Sequence, residues 1–200
     1  MIRRLAKDDV NEVVKIHLRS FPGFFLSFLG PRFLTIFYSG ICTAREGIGF
    51  VYVDDACLPV GFVAGTENPR GFYSRLLRRD WFRFAIAAIF PVLKKPSIIG
   101  RLARAFLHPA DNPIGYDVAG LYSIAVLPSI QNSGAGKSLV LAFLEEAMSR
   151  RCKRVFLTTD RDNNEAVCAF YEKLGFRIER QYITREGRRM NEFWITLSRD

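Results

Sequence analysis

The residues that most invite chemistry in this 200-residue chain lie in one run: Val126-Leu-Pro-Ser-Ile-Gln131-Asn132-Ser133-Gly134-Ala135-Gly136-Lys137-Ser138. A β-rich segment, Gly120–Val126, leads into a glycine-bearing loop and then into a helical pattern. Such a loop can turn successive backbone N–H groups toward one point, and a helix N-terminus adds positive potential. The chemistry this serves is the binding of a phosphate or pyrophosphate, with Gly134 and Gly136 letting the backbone come close. Gly136-Lys137-Ser138 imitates the end of a P-loop, and Val155–Asp160 would pass for its second nucleotide motif. A P-loop, however, needs a glycine five residues before Gly136, and Gln131 stands there. The pattern Gln/Arg-x-x-Gly-x-Gly/Ala after a strand is instead met in full by Gln131, Gly134 and Gly136.

A second run, Asn164-Glu-Ala-Val-Cys-Ala-Phe170-Tyr171-Glu-Lys-Leu-Gly175-Phe176, lies one helix and one strand downstream. In this order and spacing the two runs resemble the GNAT acetyltransferase superfamily. The second is similar to its signature Asn-x-x-Ala-x-x-hydrophobic-Tyr-x-x-x-Gly-Phe, with Ala166 displaced by one and Val167 in the alanine's place. The resemblance implies acetyl-CoA as cofactor, its pyrophosphate on Gln131–Ser138 and further contacts from Ile124 and Val126. Asn164 and Tyr171, seven residues apart, share a side of one helix; by resemblance Asn164 meets the pantetheine arm and Tyr171 is the catalytic acid. The implied reaction is direct attack of a primary amine on the acetyl carbonyl in a ternary complex. An oxyanion would take a backbone N–H near Val126, and Tyr171 would donate to the departing sulfur. A core aromatic beside Phe170 is the bland alternative for Tyr171. No general base is assigned. Gly120 and Thr159 occupy the places where relatives often carry glutamate, and Asp117, Glu67, Asp160, Tyr122 and His17 stand nearby.

The elements that must position these residues follow from the apolar pattern. Ile2–Leu5 reads as a strand, and Asp8 or Asp9 caps a helix with Val10, Val13, Val14 and Leu18 on one face. A helical stretch over Phe25–Ile41 is interrupted at Gly30-Pro31. Gly49–Asp54 and Pro59–Thr66 form a hairpin. Helices are expected over Ala135–Arg150 and Asn164–Lys173, and strands over Arg154–Thr159, Phe176–Ile183 and Met190–Leu197. The expected fold class is α/β: one domain over 1–200, a mixed central sheet flanked by helices, with a basic helical insert at about 67–118.

Composition is that of a globular chain, 49% hydrophobic and 24% charged. The N-terminus carries no signal-like apolar run, and Phe84–Leu93 is half the length of a bilayer span. Cys42, Cys57, Cys152 and Cys168 have no metal spacing, so neither a metal site nor a disulfide framework is expected, and a cytoplasmic location is. The net charge of +9 is concentrated in residues 70–108, where nine basic residues face Asp80 alone. Arg75, Arg78, Arg79 and Arg83 can share one side of a helix, and Ile98–Leu107 repeats the mixture with Arg101 and Arg104. Three readings of this insert stand: a helical lid with a solvated basic face, a peripheral contact with an anionic inner membrane surface, or an acidic partner. No nucleic-acid motif supports the last. A membrane contact would suit a lipid-linked or nucleotide-linked sugar as acceptor. The expected acceptor is a small-molecule or peptide amine, with an amino-sugar among the candidates, and the expected assembly a monomer or homodimer. The other function class is a coenzyme A-binding sensor or interaction module with a membrane-associating insert.

Overall fold

The computed structural model describes residues 1–98, 100 and 117–198. His108, Arg101, Arg104 and most of the Ile98–Leu107 stretch lie outside them. Seven strands form one mixed sheet: β1 (Ile2–Arg4), β2 (Gly47–Val53), β3 (Pro59–Thr66), β4 (Val118–Val126), β5 (Arg154–Asp160), β6 (Arg177–Ile183) and β7 (Arg189–Thr196), in the order β1-β2-β3-β4-β5-β7-β6. The single parallel pair is β4 with β5; every other neighbour is antiparallel.

On one face lie α5 (Ala135–Ser149) and α6 (Glu165–Lys173), whose Leu139, Val140, Phe143 and Tyr171 share a core with Val63, Leu121, Val155 and Phe193. On the other, α1 (Val10–Ser20) and α2 (Phe25–Thr43) cover β2–β4 through Val13, Leu34, Tyr38 and Phe62. After β3 come α3 (Phe72–Arg79) and α4 (Trp81–Lys94), with α4 packed on α2 through Phe84 and Phe33, ring centroids 4.8 Å apart. The order of elements is the expected one, and several local expectations need correction.

Asp9 precedes α1 without capping it. Its carboxylate accepts the Ala6 N–H at 2.8 Å and binds Arg3 at 2.6 and 2.7 Å, so a short turn over Lys7–Asp9 comes first. α2 runs two residues past Ile41 and holds its break at Gly30, φ 86°. Among the described residues α2, rather than Phe84–Leu93, is long and apolar enough to cross a bilayer, but its Leu29, Phe33, Leu34 and Phe37 are buried in the core. The basic stretch is not one helix, because Asp80 (φ −119°, ψ 28°) separates α3 from α4. Arg75 binds Glu46, while Arg79 and Arg83 both reach Asp80, so much of the supposed free basic face is ion-paired.

Candidate active site

The site begins with a strand that loses its neighbour. β4 pairs with β5 only over Val118↔Arg154, Ala119↔Val155 and Gly120↔Phe156, yet β5 stays paired with β7 as far as Asp160↔Met190. Past Gly120 the two parallel strands diverge into a V. Leu127 N–H donates to Val60 O at 2.8 Å. Peptide directions alternate along a strand, so Val126 and Ile124 turn their N–H groups away from β3, into the opening. Near the vertex the β3–β4 register skips Tyr122, with Ala64 opposite Ser123 and Gly65 opposite Leu121. That bulge re-aims the tyrosine. Gly120 makes room for it, since a Cβ there would lie 3.0 Å from both the Tyr122 and the Phe156 rings.

At the open end of the V sits the loop into α5. A turn over Pro128–Ile130 is followed by Gln131, then Asn132 at φ 65° and Gly134 at φ 85°. Gln131, Asn132, Ser133, Gly134 and Lys137 are exposed, while Ala135 is buried beneath them. Ser133 is used internally: its hydroxyl donates to Ile130 O at 2.7 Å and accepts from Ala135 N–H at 3.4 Å. Ser138 N–H closes the first turn on Gly134 O. Among the described residues no acceptor meets the N–H groups of Gly136 and Lys137, two of the donors a helix start leaves over. No acidic residue stands in the first turn of α5. Free donors, the positive end of a 15-residue helix and Lys137 together fit a pyrophosphate.

α6 brings the second run to the same place. The Phe170 ring lies 3.6 Å from where a Gly136 Cβ would stand, so the start of α5 rests on α6. Tyr171 follows, buried against Phe176 and Phe193, with Ile124 and Val126 packed on the same core. It is thus a core aromatic on the sheet face that carries α5. Burial pushes its hydroxyl well above the ordinary phenol range, so it is protonated and able to donate. Asn164 is not on the helix with Tyr171, as the spacing suggested. It is the residue before α6, and its amide nitrogen donates to Thr159 Oγ1 at 2.7 Å and Asp160 O at 2.8 Å. Only its carbonyl oxygen is left for a ligand.

The candidate bases separate by position. Asp117 and Glu67 stand at the closed end of the V, bound to Lys153 at 2.9 Å and Arg150 at 3.4 Å. Asp160 holds Arg188 in a two-pronged pair at 2.9 and 2.7 Å, and the same guanidinium lies over Phe24 at 5.1 Å. It therefore ties the β6–β7 turn to the α1–α2 connection. His17 is buried, with Nδ1 2.6 Å from the Tyr38 hydroxyl, and burial lowers its pKa to about 4. The Tyr122 hydroxyl is buried with no partner among the described residues, and burial raises its pKa.

One carboxylate escapes sequence reasoning. Glu192 on β7 lies opposite Thr158, on the face that carries Phe156 and Trp194. It is buried, and Trp194 Nε1 donates to its Oε1 at 2.9 Å. Glu192 therefore faces away from α5 and α6, beside Trp194 and Phe156, the pair on which Tyr122 also packs. The one signal available in the chain was a charge flanked by apolar residues in Met190-Asn-Glu-Phe-Trp-Ile195. Among the described residues no cluster of metal-ligating side chains occurs.

Comparison with known proteins agrees with this geometry. The model of the Acetyltransferase (GNAT) family matches residues 10–176. Glucosamine 6-phosphate N-acetyltransferase of Trypanosoma brucei brucei is 36% identical over 80 residues, covering 40% of this chain and 52% of that protein. Mycothiol acetyltransferase of Saccharomonospora viridis is 41% identical over 73 residues, covering 35% of this chain and 23% of that protein. The chain thus spans about half, or less, of the curated relatives it matches. Among solved structures, Arabidopsis thaliana NAA60 in complex with acetyl-CoA superposes with a TM-score of 0.62 at 16% identity, over 98% of each chain.

Proposed function

The chain belongs to the GNAT acetyltransferase family, and from that membership we propose that it moves an acetyl group from acetyl-CoA to a small primary amine, with an amino-sugar as the favoured acceptor. The observation that carries this reading is the V between β4 and β5, which leads from free N–H groups at the start of α5 to Tyr171 and the vertex. The name of the trypanosomal relative, matched over 80 residues, supports the amino-sugar.

The fit of the loop assigns the roles. Gly136 and Lys137 N–H groups would hold the pyrophosphate, with the Lys137 ammonium adding charge. Ile124 and Val126 N–H groups would align the arm along the open edge of β4, where a donor near Val126 also faces developing oxyanion charge. Bound acetyl-CoA supplies a thioester whose carbonyl carbon the amine attacks, the C–S bond breaking to release coenzyme A as a thiol. The ammonium would lose one proton to solvent to become the neutral nucleophile. Tyr171 would give its proton to the departing sulfur, and the second proton, released by the acylated nitrogen, would restore the tyrosine hydroxyl. From the opposite face Glu192 supplies the negative charge that draws an ammonium to the vertex.

Free-thiol release across a panel of amines, with glucosamine 6-phosphate included, tests this. Tyr171→Phe should lower kcat roughly 100-fold while acetyl-CoA affinity stays within about twofold. Glu192→Gln should raise the acceptor KM about tenfold with kcat little changed. No thiol release with any amine, despite acetyl-CoA binding, would leave the coenzyme A-binding module as the correct reading. Undiminished turnover in Tyr171→Phe would remove the acid.

A further inference from the structure

α4 is apolar on two opposite sides. Phe84, Ala87 and Pro91 point inward and are buried against α2. Phe82, Ile86, Ile89 and Leu93 recur at steps of four, three and four, which puts them on a single stripe facing away from the core. These four, with Trp81 and Phe90 beside them, are between 49% and 72% exposed. A helix apolar all round belongs either inside a protein or against a lipid phase. α4 has only one side inside.

The charge around the stripe selects among occupants. α4 contains no acidic residue; Arg83 borders the stripe along one side, and Lys94 and Lys95 stand at its end. Lys94 leans over the Phe90 ring at 4.8 Å, keeping its ammonium at the edge of the apolar surface. Arg78, exposed at the other end, extends the basic border. Trp81 and Phe82 sit at the start of the helix with rings 5.8 Å apart, and tryptophan is among the residues enriched at a membrane–water boundary. Hydrocarbon bounded by anionic headgroups answers both halves of this surface, the stripe by burial and the border by charge.

We propose that the outer face of α4 docks on an anionic membrane surface, the helix lying in the interface with Phe82, Ile86, Ile89 and Leu93 inserted and Arg83, Lys94 and Lys95 on the headgroups. The basic insert thereby acts through its apolar side as much as its charge, since Arg75 and Arg79 are held in ion pairs and Arg83, though 65% exposed, also reaches Asp80 at 3.6 Å. The proposal does not rest on the acetyl-transfer reading.

Flotation of the full chain with vesicles tests it. The protein should float with phosphatidylcholine vesicles containing phosphatidylserine, should be released by high salt, and should stay unbound with phosphatidylcholine alone. The double variant Ile86→Glu, Leu93→Glu changes only exposed positions and should weaken binding at least about tenfold, with an unchanged melting temperature. Arg83→Glu with Lys95→Glu should do the same through the charged border. Absence of flotation with anionic vesicles, equal binding to neutral ones, or binding undiminished in the double variant each overturns the proposal. So does light scattering that shows a dimer dissolved by the double variant without vesicle binding, because the face would then join two copies.

Discussion

At the residue scale, His17 and Tyr171 show how burial sets chemistry. His17 has Nδ1 against the Tyr38 hydroxyl, Nε2 buried without a partner among the described residues, and a pKa lowered from 6.5 to about 4 by burial. The folded chain therefore keeps a neutral imidazole at pH values where the unfolded chain has already taken up a proton. Stability should be level above pH 6.5, fall between 6.5 and about 4, and level off again for this group below that. The shift corresponds to about 3 kcal/mol at its limit. Denaturant midpoints at successive pH values check it, with His17→Gln flattening the upper part of the slope; a wild type equally stable at pH 7 and 5 would contradict a neutral buried histidine. The sequence could nominate His17 as a helical histidine, but its burial depends on Tyr38 from α2 and Phe21, neither fixed by local pattern. Glu192 was missed for a related reason. A carboxylate in a strand is ordinary until the neighbouring strands show which row it occupies.

At the element scale, the loop between β4 and α5 separates two glycines that look alike in the sequence. Gly134 sits at φ 85° with open space where a Cβ would go, so its requirement is conformational. Gly136 has ordinary backbone angles, and a Cβ there would only touch Phe170 at 3.6 Å. Gly134→Ala should cost about 1–2 kcal/mol in the free protein and turn the loop donors away, weakening acetyl-CoA binding. Gly136→Ala should be neutral or slightly stabilising, because alanine is the better helix former. Calorimetric titration and melting curves on both variants read the difference; equal losses would mean that the loop needs free space rather than a left-handed turn. The loop, β3 and the start of α5 were legible because glycine spacing and apolar runs are local. The break between α3 and α4 at Asp80 was not, since no glycine or proline marks it and α2 receives α4 there.

At the scale of the whole molecule, the V exists because β4 has two different neighbours. β3 holds it over nearly its full length, while β5 holds it for three residues and then follows β7. Past Gly120 the β5 side of β4 is, among the described residues, an unpaired strand edge that an extended ligand can complete. Acetyl-CoA at about 100 times its Kd should therefore raise the unfolding free energy by about 2.7 kcal/mol, and the melting midpoint by about 5–10 °C for a chain of this size. Thermal melts with and without acetyl-CoA measure this, and an unmoved midpoint would show that the V does not hold it. The sequence by itself determined the order of elements and the Gln131–Ser138 loop, because these follow from periodicity, glycine placement and helix starts within short windows. It also excluded a P-loop, through Gln131 alone. Only the tertiary structure decided that β4 and β5 part after Gly120, that Phe170 packs under Gly136 while Tyr171 meets Phe176 and Phe193, and that Asn164 stands outside α6. The same holds for Asp160, which is committed to Arg188, and for Glu192, which lies opposite Thr158 beside Trp194. Each of those depends on which distant segments share a strand edge or a packed face, and no spacing along one chain contains that information.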